Sequence, residues 1–78
     1  MNVINKPGIV DYCEKRQILS QYLKACSYIE LGFYETVKLK LLHPKEYGIY
    51  QFRITGKFRG LAIKEAGNLV VFEISDHQ

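Results

Sequence analysis

Three segments in the C-terminal half, residues 49–54, 58–64 and 69–75, are rich in β-branched and aromatic residues. Thr55-Gly56-Lys57 and Ala66-Gly67-Asn68 separate them, each a turn signal centred on glycine. This predicts an antiparallel three-stranded meander. Side chains alternate along a strand, so turn length decides which residues share a face. With a three-residue turn at each point, Arg53 lies opposite Arg59 and Ile54 opposite Phe58. In the second hairpin the same rule sets Glu65 against Leu69, Ile63 against Val71 and Leu61 against Glu73. One face then collects Tyr50, Phe52, Ile54, Phe58, Gly60, Ala62, Val70, Phe72 and Ile74, which must pack on the rest of the chain. The other carries Gln51, Arg53, Arg59, Glu73, Ser75 and His77, with Leu61, Ile63 and Val71 toward its far end. A two-residue turn at either point would scramble this sorting.

The N-terminal half reads differently. Met1 to Lys6 suits a short strand or extended lead-in, and Asn5 suits a helix N-cap with Pro7 in the first turn. Ile9, Tyr12 and Cys13, then Leu19, Tyr22, Leu23 and Cys26, recur at helical spacing. Residues 8–30 are therefore expected to form one or two helices, with a break near Arg16-Gln17 and a stop at Gly32. In residues 34–42, Val37, Leu39 and Leu41 alternate with Lys38 and Lys40, which fits a strand, and a short helix fits as well. Pro44 ends either. The expected class is α+β, with helices packed on one face of a twisted sheet.

A chain of 78 residues has room for one hydrophobic core, so residues 1–78 are expected to be a single domain. It has neither an apolar run long enough to cross a membrane nor an apolar N-terminal block like a secretory signal, which predicts a cytoplasmic protein. Cys13 and Cys26 are the only cysteines. They show no Cys-x-x-Cys spacing and cannot by themselves make a four-ligand site, so they are expected to be reduced and packed, with no metal or cofactor. The net charge of +3 permits a polyanionic partner without demanding one.

On the polar face of the meander, Arg53 and Arg59 directly opposite each other repel by about a few tenths of a kcal/mol. A phosphate between them removes that penalty, because its geometry matches the guanidinium fork. The plainer alternative is a solvated charged face in which Glu73 pairs with an arginine. Lys38, Lys40 and Lys57 suit a solvated cationic rim, which could also meet the phosphates of a polyanion. Tyr50 belongs to the packed face rather than to base stacking, for which Tyr47 is the freer candidate.

Leu42-His43-Pro44, Gly48-Ile49-Tyr50, Phe52-Arg53-Ile54, Gly56-Lys57-Phe58-Arg59 and Asp76-His77 follow one another in an order that resembles the HigB branch of the RelE/ParE toxins. The opening Met1 to Lys6 looks like the first strand of such proteins. The likeness covers residues 42–77 and implies an N-terminal helical layer on a twisted antiparallel sheet. It further implies a toxin that cleaves mRNA on the ribosome, acting without metal, and is neutralised by a cognate antitoxin with a helix-turn-helix, DNA-binding character. Carried over residue by residue, the matching positions are His43, Arg59, Asp76 and His77. Arg53, Lys57, Lys38 and Lys40 join them as phosphate-binding candidates, with Glu73 and Glu46 as lesser ones. In such a site the two histidines move protons and Arg59 stabilises the phosphorane. The aromatic residue that the branch carries between the terminal acid and histidine is absent, since Asp76 adjoins His77. Two alternatives stand beside this reading: a ParE-like inhibitor of DNA gyrase, and a non-catalytic RNA-binding relative.

Overall fold

A computed structural model describes residues 1–76. The order of elements is β1 (Val3–Asn5), α1 (Ile9–Lys15), α2 (Leu19–Glu30), β2 (Lys40–Leu41), a 3-10 turn at Lys45–Tyr47, β3 (Ile49–Arg53), β4 (Phe58–Glu65) and β5 (Asn68–Asp76). The five strands form one sheet in the order β1-β5-β4-β3-β2. The α+β class and the helices-on-sheet layering are as expected. The meander is antiparallel, and β1 adds a parallel edge against β5.

The helices stop where the chain leaves right-handed backbone. Gln17 has φ +60, and the N–H groups of Gln17 and Ile18 bond the carbonyls of Glu14 and Cys13. This is a Schellman closure at the anticipated break. Gly32, at φ +87, closes α2 in the same way, with the N–H of Phe33 on the Tyr28 carbonyl at 2.8 Å and the two rings meeting edge to face. Between these stops α2 buries Tyr22, Ala25, Cys26 and Ile29, a stripe of helical spacing. They pack with Ile9 and Cys13 of α1 against Phe52, Ala62, Leu69, Val71 and Ile74 of the sheet. Asn5 is not the cap of α1, which begins after Gly8 at φ +93. Its side chain instead accepts the hydroxyl proton of buried Tyr22. With the Val3 N–H donating to Glu30 at 3.0 Å, this ties β1 to α2.

Residues 34–42 are neither a full strand nor a helix. Residues 34–38 make one turn, ended by Lys38 at φ +53, and only Lys40–Leu41 pair with β3. Val37 is buried in the core and its carbonyl accepts the Arg53 N–H at 2.7 Å. The adjacent Lys38 is exposed.

The first hairpin has the expected register, with Arg53 opposite Arg59 and Phe52 opposite Gly60. The second does not. Glu65 faces Asn68 and Ile63 faces Val70, because the turn is the two-residue Ala66-Gly67, with φ values of +52 and +79. These are the values of a hairpin turn whose twist matches that of its strands. A bulge between Leu61 and Ala62 then takes up one extra residue of β5 and restores Leu61 opposite Glu73. Val71, expected on the open face, is therefore in the core. Phe72, expected in the core, is 37% exposed, and Val70 is buried outside the core cluster.

Gly60 lets the sheet close over its core, since a Cβ there would run into the Phe52 ring. Gly60→Ala is expected to cost about 1–3 kcal/mol by overpacking. Calorimetry should show this as a loss of roughly 4–8 °C in Tm per kcal/mol. Adding Phe52→Leu should recover part of it; no recovery would mean that the ring is not the obstacle.

Both thiols are free, and burial raises them, with Arg16 partly opposing the effect at Cys13. Burial pushes Cys26 up to about 11 from 9.0. The folded chain thus keeps a proton that the unfolded chain loses. The corresponding stability is whole below pH 9.0 and is lost as pH rises toward about 11. Urea midpoints are expected to fall across that window, and less steeply in Cys26→Ala; equal slopes would exclude Cys26 as a source.

Candidate functional site

The first hairpin turns tightly because Thr55 folds onto it. The Thr55 hydroxyl accepts the N–H groups of Lys57 and Phe58 at 3.1 and 3.0 Å, and the Ile54 N–H bonds the Phe58 carbonyl. This closure holds Arg53 and Arg59 as directly opposed residues. Phe52 and Gly60, one step back, face the core, so alternation sends both arginines to the open face.

The guanidinium of Arg59 leans back onto the turn. Its Nη1 donates to the carbonyls of Thr55 and Phe58 at 2.6 and 3.2 Å. Nε and Nη2 have no hydrogen-bond partner among the described residues. Arg53 reaches the same place, with Nη2 lying 3.8 Å from where a Cβ on Gly56 would stand. Arg59 is half-buried and Arg53 exposed.

Lys38, Lys40, Gln51, Arg53 and Arg59 line a cleft of about 260 Å³. Four of the five are cations and none is acidic. Lys40 arrives because β2 pairs it with Gln51, and Lys38 because the left-handed turn precedes β2. An anion that meets two guanidinium groups and two ammonium groups makes charge-assisted hydrogen bonds, each worth about 1.5–3 kcal/mol when well formed.

The other residues singled out in the sequence lie elsewhere. Asp76 is paired with Phe58, whose ring packs on the core, and alternation puts it on the opposite side of the sheet from Arg59. There it forms an ion pair with Lys57 at 3.5 Å. Asp76 and Lys57 are thus drawn to each other and neither lines the cleft. His43 is exposed in the loop after β2. Its neighbour Leu42 bonds to Ile49, at the far end of β3 from Arg53, about 13 Å along the strand. Glu46 belongs to the 3-10 turn at that same end. Glu73 faces Leu61 on the open face and does not line the cleft. His77 lies outside the described residues. No group of three or more histidines, cysteines, aspartates or glutamates that would hold a metal ion occurs among the described residues.

Two contributors had been overlooked. Gln51, already placed on the open face by alternation but not named as a binding residue, adds a neutral donor and acceptor to the cleft. Thr55 builds the turn that seats Arg59. A threonine two residues before a lysine, with glycine between, is the sequence trace of that turn.

Among the described residues no helix is long and apolar enough to cross a membrane. No family model matches the sequence, and no curated protein matches it either. Solved structures do. The chain is similar to one in the heterotetrameric YoeB–YefM toxin–antitoxin complex from Staphylococcus aureus, with TM-score 0.72, 15% identity, all of this chain covered and 98% of the other. A YoeB/ParE toxin from Agrobacterium tumefaciens matches with TM-score 0.72 and 14% identity over the whole of both chains. The fold of this chain is that of YoeB/ParE-type toxins.

Proposed function

We propose that this chain is the toxin of a toxin–antitoxin system in the RelE/ParE superfamily, HigB-like, and that it cleaves mRNA bound to the ribosome. The observation that carries the reading is the open-face cleft, lined by four cations and by no carboxylate among the described residues, on a fold shared with YoeB/ParE toxins. A folded strand pair that opposes two arginines and adds two lysines suits a phosphodiester backbone. The proposed partner is a cognate antitoxin with a DNA-binding helix-turn-helix, and the proposed place of action is the cytoplasm.

In the proposed reaction the ribose 2′-oxygen attacks the adjoining phosphorus and loses its proton to a base. The bond to the 5′-oxygen breaks, and that oxygen takes a proton. The products are a 2′,3′-cyclic phosphate and a 5′-hydroxyl. Arg59 is the stabiliser of the dianionic phosphorane, since Nε and Nη2, which have no partner among the described residues, offer donors while Nη1 is held by the turn. Arg53, Lys38 and Lys40 hold the flanking phosphates. His77, which follows Asp76 in the sequence, is the proposed proton carrier. Asp76 and His43 have no role in this scheme, given the face and the end of the sheet they occupy.

One observation favours a second reading. None of the described residues that line the cleft is a histidine, aspartate or glutamate, so these residues by themselves grip without transferring protons. A ParE-like gyrase inhibitor or a non-catalytic RNA binder would need no more.

Induced expression followed by primer extension on cellular mRNA separates the two. The expected result is growth arrest with cuts at discrete positions. Arg59→Ala is expected to lower cutting by about 10²–10³-fold and to relieve the arrest. His77→Ala is expected to do the same, and both variants should melt close to the parent temperature; for Arg59 this follows from its place outside the core. Arrest with intact mRNA would shift the assignment to binding without cleavage. Cutting that ignores Arg59→Ala would remove the cleft from the mechanism.

A further inference from the structure

The cationic surface does not end at Arg53. The same side chain forms part of the wall of a second cavity, of about 280 Å³, lined also by Gln21, Lys24 and Tyr28 of α2 and by Thr36. The partition between the two cavities is one short segment. Thr36 and Val37 line the second, Lys38 lines the first, and Arg53 lines both. The segment is fixed in place, because Val37 is buried in the core and its carbonyl holds the Arg53 N–H.

Together the two cavities are lined by Lys24, Lys38, Lys40, Arg53 and Arg59, and by no acidic residue among the described residues. The chain has 11 lysines and arginines and 8 aspartates and glutamates. The open face does carry Glu73, but the described residues that line the two cavities bring charge of one sign only. The second cavity differs from the first in what surrounds its cation. Gln21, Lys24 and Tyr28 stand three and four residues apart on one face of α2. Tyr28 supplies an aromatic wall, with Phe33 edge-on to it at 6.3 Å. Gln21 and Thr36 are neutral hydrogen-bonding side chains. An aromatic ring beside amide and hydroxyl groups suits a nucleobase, and a lysine beside it suits the phosphate attached to that base.

We propose that the second cavity binds the nucleotide adjoining the one whose phosphate lies between Arg53 and Arg59. Lys24 holds the next phosphate, Tyr28 supports the base, Gln21 and Thr36 meet its edge, and Arg53 serves both nucleotides. The proposal rests on the reading of the open-face cleft as an RNA site. It extends the RNA surface from the sheet onto α2.

The test measures binding alone, by fluorescence anisotropy of a labelled six-nucleotide oligouridylate with every 2′-oxygen methylated, so that it cannot be cut. Affinity is followed against salt, because each phosphate contact on a single strand contributes about 0.7 to the slope of log affinity on log salt. Lys24→Ala is expected to weaken binding and lower that slope by about 0.7. Tyr28→Leu is expected to weaken binding at least about five-fold with the slope unchanged. Arg59→Ala should lower the slope as well, while Lys45→Ala, at the far end of the sheet, should change nothing. Lys24→Glu, at the same exposed position, should weaken binding further than Lys24→Ala, and thermal melting establishes that each variant is folded.

Loss with Arg59→Ala but not with Lys24→Ala overturns the second cavity and leaves the cleft standing. Loss with Lys24→Ala but not with folded Tyr28→Leu overturns the base-binding role. Binding indifferent to Arg59→Ala overturns both readings.

Discussion

The site depends on how Phe52 sits over Gly60. The ring occupies the space that a side chain on β4 would take, so only a residue without a Cβ fits opposite it. That pairing pins the register of β3 on β4 from the inside, in a buried place where a slip of one residue would turn an aromatic ring to solvent. The next pair outward is Arg53 and Arg59, on the other face. An apolar fit in the core thus determines where two cations meet on the surface. The Thr55 turn just beyond closes the hairpin at that same end and gives the Arg59 head its seat.

The part of this that could be read from the sequence is the part that alternation controls. Phe52, Gly60 and the two arginines obey the period-two rule across a turn of the assumed length, and the expected pairs are the observed ones. The second hairpin broke the rule twice, in opposite directions. A two-residue turn at Ala66-Gly67 shifted β5 by one, and the bulge near Phe72 shifted it back. Such offsetting irregularities leave the end of the strand where a simpler turn would put it, so Glu73 was placed correctly while Val71 and Phe72 exchanged faces. The turn at residues 34–38 was hidden for another reason. Its closure needs a lysine at positive φ, which residue preference argues against and which tertiary anchoring of Val37 imposes.

For the site itself, the predicted cations meet in one cleft, whereas His43 and Asp76 stand apart from it. Lys38, Lys40, Arg53 and Arg59 converge because strand pairing brings them together. His43 and Asp76 came in through motif order along the chain, which carries no information about faces or ends. Asp76 satisfies the period-two rule with Phe58, and so falls on the side away from Arg59 and next to Lys57. The second cavity had no trace in either half taken alone, since it needs the spacing of Gln21, Lys24 and Tyr28 on α2 together with the end of β3.

Left-handed backbone at Gln17 and Ala66 serves a helix stop and a hairpin turn elsewhere, but two further breaches of local preference meet at the cleft. Two arginines stand opposed across a strand pair, and a lysine holds left-handed backbone costing roughly 1–2 kcal/mol beside them. Lys40 adds a further like charge to the same cleft, and no carboxylate among the described residues lines it. A chain of 78 residues has a stability of only about 4–12 kcal/mol at typical values per residue. Strain of this kind at one end of the sheet is a sizeable fraction of that margin, whereas the core beneath it is regular and without unsatisfied buried polar groups among the described residues. Local rules fail in folded proteins chiefly where binding or chemistry requires it. A polyanion seated there removes the like-charge repulsion and binds the folded state alone, so it stabilises the fold in proportion to the logarithm of its concentration over Kd. The positive cluster would then be a cost chiefly in the free protein, which is the physical ground on which the proposed RNA site rests.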